Sequence, residues 1–200
     1  DGFCDIALVY DYGNNNMGIW VMPSSGSSIA NPQLWYISGQ NNWSVSRTKG
    51  YISGDFNKDG FCDIALVYDY GNNNMGIWVM PSNGSSIANP RLWYLSGPNN
   101  WSVDRTKGFI GGDFNKDGYS DIGLVYDYGN DNMGIWVMPS NGSSIASPGL
   151  WYISGPNNWN VNSTKGYVGG DFNNDGYSDI GLIYDYGNSN MGIWVMPSNG

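Results

Sequence analysis

The sequence contains no histidine and no glutamate, and it holds only 2 cysteines and 8 basic side chains in 200 residues. Each absence closes a class of chemistry. Without His there is no imidazole base and no Cys–His pair. A glycosidase would have to use two Asp, but the carboxylates here recur from copy to copy and none forms a distinctive pair, so the chain does not read as an enzyme. The formal charge of −9 offers no positive field to a nucleic acid. No apolar run reaches the roughly 18 residues that a membrane-spanning helix requires. Helical periodicity is absent throughout. Cys4 and Cys62 stand at the same position of consecutive repeats, where later copies carry Ser120 and Ser178. Equivalent points on neighbouring repeats are expected to lie beyond the roughly 7 Å reach of a disulfide, so two separate thiols are expected.

What is present points to an all-β protein. Apolar residues make up 40% of the chain and aromatic residues 16%, enough for a packed core despite the abundance of Gly, Asn and Ser. Self-comparison gives a period of 58, with Asp-Gly at 1, 59, 117 and 175. The chain divides into repeats 1–58, 59–116 and 117–174 and a partial fourth, 175–200. Copies one and two differ at 7 positions and copies two and three at 13, so successive repeats carry nearly the same surface. The sequence opens in mid-motif, which suggests a window from a longer array or a processed fragment.

The organising stretch is Asp55-Phe56-Asn57-Lys58-Asp59-Gly60-Phe61-Cys62-Asp63, repeated at 113–121 and 171–179. Oxygen side chains at loop positions 1, 3, 5 and 9, with Gly at position 6 for the sharp turn, suit a hard cation, and Ca²⁺ above Mg²⁺ because its coordination is larger and less strict. The candidate ligands are Asp55, Asn57, Asp59 and Asp63 with the carbonyl of Phe61; Asp113, Asn115, Asp117 and Asp121 with that of Tyr119; and Asp171, Asn173, Asp175 and Asp179 with that of Tyr177. The first copy keeps only Asp1 and Asp5. An EF-hand is excluded, since the chain has no Glu for position 12 and the loop runs into a strand. A metal-free turn rich in Asp and Asn is the alternative. Eleven of the 17 Asp lie in these loops, and three divalent ions would bring the charge from −9 to −3. Extracellular calcium modules bind at about 10⁻⁴–10⁻³ M, which places the expected location outside the cell or on its surface.

The pattern Asp-Phe-Asn-x-Asp-Gly-x-x-Asp-Ile, closing on a short apolar strand, resembles the FG-GAP or VCBS-type repeat, the calcium-loop blade of integrin-α-like β-propellers. The resemblance extends over the whole chain. It implies a four-stranded antiparallel blade per repeat, about three and a half blades here, usually seven in complete members, and metal ligands at loop positions 1, 3, 5 and 9. The residues agree with four strands per period: in the second repeat, 64–70, 75–80, 92–95 and 107–110, separated by the Asn-rich connection 71–74, a hairpin turn at 82–85 and a turn at 97–101. Fewer than seven blades leaves faces to be covered, so further copies of the chain, in a closed oligomer or a filament, are expected partners.

Two aromatic sets read as ligand candidates. Trp43, Trp101 and Trp159 each follow Asn-Asn in a turn, where an exposed indole beside amides would stack on a pyranose ring; the competing role is a lid folded onto its own sheet. Tyr68, Asp69 and Tyr70, with their equivalents, form the second patch. Asn42, Asn83, Asn100, Asn141 and Asn162 stand in N-glycosylation sequons. Some propellers with integrin-like repeats are sugar-binding proteins. The expected function is a calcium-stabilised, multivalent lectin-like module with glycan partners; the rival is an adhesive or filament-forming repeat protein without a small ligand.

Overall fold

The computed structural model describes residues 3–200, and its regular elements are fourteen strands and three single 3₁₀ turns. The strands are β1 (Ile6–Asp11), β2 (Met17–Met22), β3 (Gln33–Ile37), β4 (Thr48–Gly54), β5 (Asp63–Asp69), β6 (Met75–Met80) and β7 (Arg91–Leu95). They continue as β8 (Thr106–Gly112), β9 (Asp121–Gly129), β10 (Asn132–Met138), β11 (Gly149–Ile153), β12 (Thr164–Gly170), β13 (Asp179–Gly187) and β14 (Asn190–Met196). They form four sheets, β1–β2–β3, β4–β5–β6–β7, β8–β9–β10–β11 and β12–β13–β14, each pairing only sequence neighbours. Every pairing is antiparallel.

The expected strands appear, but their grouping differs from the order of the sequence period. The segment expected as a fourth strand at 107–110 is β8, and it pairs with β9 beyond the acidic loop, Phe109 opposite Leu124. A sheet therefore runs from residue 48 to 95, although the period is counted from 59. The phase is set by hydrogen bonding across the loop, a non-local choice that periodicity does not carry.

Local chemistry explains the connections. Between β5 and β6, Gly71, Asn72 and Asn73 have φ of 78°, 52° and 51°, a left-handed run that Gly and Asn tolerate better than other residues. That run turns backbone carbonyls outward. The Asn72 carbonyl accepts the N–H of Asn99, and the Asn73 carbonyl accepts those of Asn100 and Trp101, so the second turn is stitched onto the first. After Pro81, which cannot donate to a ladder, Ser82 bridges Ile87 and closes a hairpin.

The two central strands of each middle sheet are buried on both faces over most of their length. Ile64 and Leu66 of β5 pack against the Met17, Ile19 and Val21 side of the first sheet; Ala65 and Val67 point the other way, into the next junction. The same set recurs between the third and fourth sheets. The strands nearest one another across junctions are β4, β8 and β12. Their approach is so close that a Cβ on Gly111 would strike the Ser53 carbonyl, and one on Gly169 the Gly111 carbonyl. Ser53 occupies the same repeat position on β4, and among the described residues the first sheet, β1–β2–β3, has no strand equivalent to β4 beside it.

Substituting Gly111→Ala pushes a methyl group into backbone that cannot move aside, and is expected to cost about 1–3 kcal/mol. Ser53→Ala, at the same position without that neighbour, should stay within about 0.5 kcal/mol. Urea melts of the two variants check the contrast; equal stability would contradict the stacking of β4 on β8.

Candidate functional site

Two sets of residues stand out, one at each kind of sheet connection. The first is the acidic loop. In the copy 55–63, Asp55 accepts the N–H groups of Asp59 at 3.1 Å and Gly60 at 2.9 Å, and Asn57 Oδ1 accepts the Asp59 N–H at 2.9 Å. Asp59 Oδ1 accepts the N–H of Phe61, and its other oxygen takes a bond from the Asn57 amide. Lys58, with φ of 61°, reaches the Asp117 carbonyl of the next loop at 2.7 Å and lies over the Tyr119 ring.

Asp63 is different. It is fully buried, and it accepts the N–H of Ser82 at 2.8 Å and that of Phe56 at 3.2 Å, tying the loop to the hairpin that follows β6. Asp121 and Asp179 repeat the arrangement, and Asp5 accepts the Ser24 N–H in the same way. Burial pushes Asp63 up to about 6, against the lowering effect of the Ser82 and Phe56 amides, with the neighbouring Asp59 and Asp55 adding to it. Asp121 is pushed up to about 7 for the same reasons.

Among the described residues no three acidic or thiol side chains converge into a ready-made cation cluster. The loop oxygens close instead on their own backbone N–H groups. Asp1 lies outside the described residues. Phe61 and Tyr119, expected to offer a carbonyl, lay their rings on the hairpin glycines Gly84 and Gly142, and Tyr177, expected to do the same, lies on the equivalent Gly200. The donor set nevertheless has the oxygen-only chemistry that a hard cation requires. Cys4 and Cys62 beside these loops are free and exposed. Burial raises the Cys62 thiol, with Cys4, Asp55, Asp63 and Asp5 adding to it.

The second set is aromatic and lies in the grooves between sheets. The expectation of exposed indoles at Trp43 and Trp101 is corrected: each is only 7% exposed. The stitched turn carries the ring inward, its Nε1–H donates to Thr48 or Thr106 at 2.9 Å, and Trp159 bonds Thr164 likewise. What the indole meets is the other candidate patch. Trp43 stands edge-on to Tyr68 at 5.2 Å, Trp101 to Tyr126 at 5.2 Å and Trp159 to Tyr184 at 5.0 Å, each pair crossing from one sheet to the next.

The rest of the groove follows from close approach. Tyr70, Tyr128 and Tyr186 lie across Gly76, Gly134 and Gly192, where a Cβ would collide with the ring. Their hydroxyls accept the Nε1–H of Trp78, Trp136 and Trp194. At the junction of the second and third sheets these residues enclose about 330 Å³, lined by Tyr94, Asn100, Trp101, Tyr126, Tyr128, Trp136 and Pro148. At the next junction the equivalents Tyr152, Asn158, Trp159, Tyr184, Tyr186 and Trp194 line a wider cavity of about 690 Å³. At the two earlier junctions Ile87 and Ile145 donate N–H groups to the carbonyls of Trp35 and Trp93.

Sequence reasoning found the Trp and Tyr members but not Tyr94, Pro148 and Trp136 as parts of one groove. Asp69 faces a structural task, its Oδ1 accepting the Gly71 N–H. Arg47 and Arg105 bond the carbonyls of Asp69 and Asp127 and sit over Tyr68 and Tyr126 at 5.6 Å. Asn42, Asn83, Asn100, Asn141 and Asn162 are all exposed. Asn42 and Asn100 already donate from Nδ2 to the carbonyls of Ser38 and Ser96. No protein-family model and no curated protein matches the chain.

The buried carboxyls make the metal-free protein sensitive to base. Their folded values lie above the unfolded value near 3.8, so their contribution is fully present below that pH and is lost as the pH rises through about 6 for Asp63 and about 7 for Asp121. Melting temperature in chelator is expected to be higher at pH 5 than at pH 8. Asp63→Asn and Asp121→Asn, which cannot ionise and keep one of the two accepting oxygens, should flatten the profile while lowering stability at every pH.

Proposed function

We propose that the protein is a calcium-stabilised, multivalent carbohydrate-binding module whose four sheets are blades of an integrin-like propeller, working outside the cell. The observation that carries the reading is the aromatic groove formed at successive sheet junctions. A cavity of about 330 Å³, walled by Trp136, Tyr126 and Tyr128 and rimmed by Asn100 and Tyr94, suits one sugar ring. The apolar face of a pyranose stacks on aromatic carbon, and the amide and phenol groups bond its hydroxyls. Near-identical grooves on one chain favour weak sites that gain strength together on a glycan-bearing surface.

The propeller reading is supported by the stacking of β4, β8 and β12 with outer strands farther out, and by the recurrence of the same contacts at each junction. In that reading Asp55, Asn57, Asp59 and Asp63, with their equivalents, would hold Ca²⁺. The ion would supply positive charge to carboxylates otherwise held together by backbone N–H groups and an Asn side-chain amide.

A glycan-array screen in millimolar calcium tests the binding reading. Saturable binding to a defined sugar is expected, with a loss of at least about fivefold on replacing Tyr70, Tyr128 and Tyr186 by Ala, since stacking and hydroxyl contacts together contribute about 1–3 kcal/mol. Binding that survives the triple change, or no binding by folded protein, would contradict it. Calcium is tested separately by thermal melts. At 10 mM calcium each occupied loop should add about 1.4–2.7 kcal/mol for affinities in the extracellular range. A melting temperature unmoved by calcium or chelator would remove the ion from the account.

A further inference from the structure

The same three side chains behave in two ways. Met17, Ile19 and Val21 of the first sheet are 0–4% exposed, as are Met75, Ile77 and Val79 of the second and Met133, Ile135 and Val137 of the third. Their fourth copy, Met191, Ile193 and Val195, is 45–67% exposed. At the other end of the stack the relation is mirrored. Ile64 and Leu66, pressed against the first sheet, are 8% and 0% exposed, whereas their first copy, Ile6 and Leu8, is 45% and 48% exposed. One outer face is thus the trailing half of a junction the molecule makes three times, and the other is the leading half.

We infer that these faces bind each other between molecules: the β13–β14 face of one copy docks on the β1–β2 face of a second. The three internal junctions supply the template. Ile6, Leu8 and Tyr10 would take the places of Ile64, Leu66 and Tyr68, over Met191, Ile193 and Val195. The polar fittings exist as well. At internal junctions the carbonyls of loop positions 1 and 2 are capped by the following sheet: Asp55 by the Ser120 N–H, Phe56 by the Ser140 hydroxyl, Asp113 by the Ser178 N–H and Phe114 by the Ser198 hydroxyl. Asp171 and Phe172 present the same carbonyls on the last sheet, and Cys4 and Ser24 are the matching positions on the first. Phe172 is 51% exposed, against 0% for Phe56 and 1% for Phe114, so its ring too gains cover. One fitting is missing, since Asn174 stands where Lys58 and Lys116 bond the next loop.

The contact is heterologous, head to tail, because each face complements the other and not itself. The inference is independent of any sugar bound in the grooves.

That asymmetry gives the test. Sedimentation velocity is run on the 200-residue chain, on a head variant Leu8→Asp and on a tail variant Ile193→Asp. Both positions are exposed, so circular dichroism should show both variants folded; a second pair, Ile6→Lys and Met191→Lys, serves if either is not. The wild-type chain is expected to associate with a concentration-dependent mass of at least twice that of one chain. Each variant alone should remain monomeric. Mixed, they should form a one-to-one dimer and stop there, because the intact tail of one meets the intact head of the other while the remaining faces are blocked. A wild-type chain monomeric at tens of micromolar would overturn the inference. So would a head variant that still self-associates, which would mean that tails pair with tails.

Discussion

The constraint on which the structure depends is that a sheet apolar on both faces must be covered on both. In β5 the run Ile64-Ala65-Leu66-Val67 sends alternate side chains to opposite faces, and all four are buried. A solitary antiparallel sheet would carry polar residues on alternate positions. Here each sheet completes the core of its predecessor and begins that of its successor, so stability accrues junction by junction. The glycines of the repeat serve that stacking. Gly111 and Gly169 let backbone meet backbone between neighbouring sheets, while Gly76 and Gly134 admit a tyrosine ring above the strand.

Polar groups are arranged around the same constraint. A buried Asp at the start of β5, β9 and β13 would be costly unless its oxygens were bonded, and each accepts two backbone N–H groups, one from the loop before it and one from the Ser that follows β6, β10 or β14. These carboxylates act as internal clamps. Asp55, Asn57 and Asp59, with their equivalents, stay nearer the surface and hold the turn. A loop that looks uniform in sequence therefore divides into one buried, structural carboxylate and a more accessible oxygen cluster. Only the second part stands open to solvent.

Much of this was legible in the sequence because it is local. The 58-residue period, the apolar strands, the left-handed Asn connection and the hairpin at Ser82 follow from residue type and spacing. The phase of the sheets was not legible, because Thr48–Gly54 pairs across the loop with Asp63–Asp69. Nor was the fate of the turn tryptophans. Asn-Asn-Trp reads as an exposed turn until Asn72 and Asn73 present their carbonyls to it, and the tyrosine that then receives the indole comes from the following repeat. The two ligand patches looked separate for that reason: Trp101, in the turn after β7, and Tyr126, on β9 of the next sheet, are 25 positions apart in the sequence.

This origin gives the grooves a property that a site within one sheet would lack. Trp101 comes from the turn that ends one sheet and Tyr126 from the second strand of the next, so a groove exists only where two sheets meet. The number of grooves therefore follows the number of junctions and not the number of repeats. A change that loosens one junction removes one groove and leaves its neighbours, because each junction has its own core cluster. The acidic loop leads into β5 at Asp63 and the groove tyrosine Tyr68 stands near the far end of the same strand, so the two sites are joined through a strand already fixed on both sides. Occupancy of a loop would thus act on the grooves through the persistence of the stack rather than through any residue shared between them.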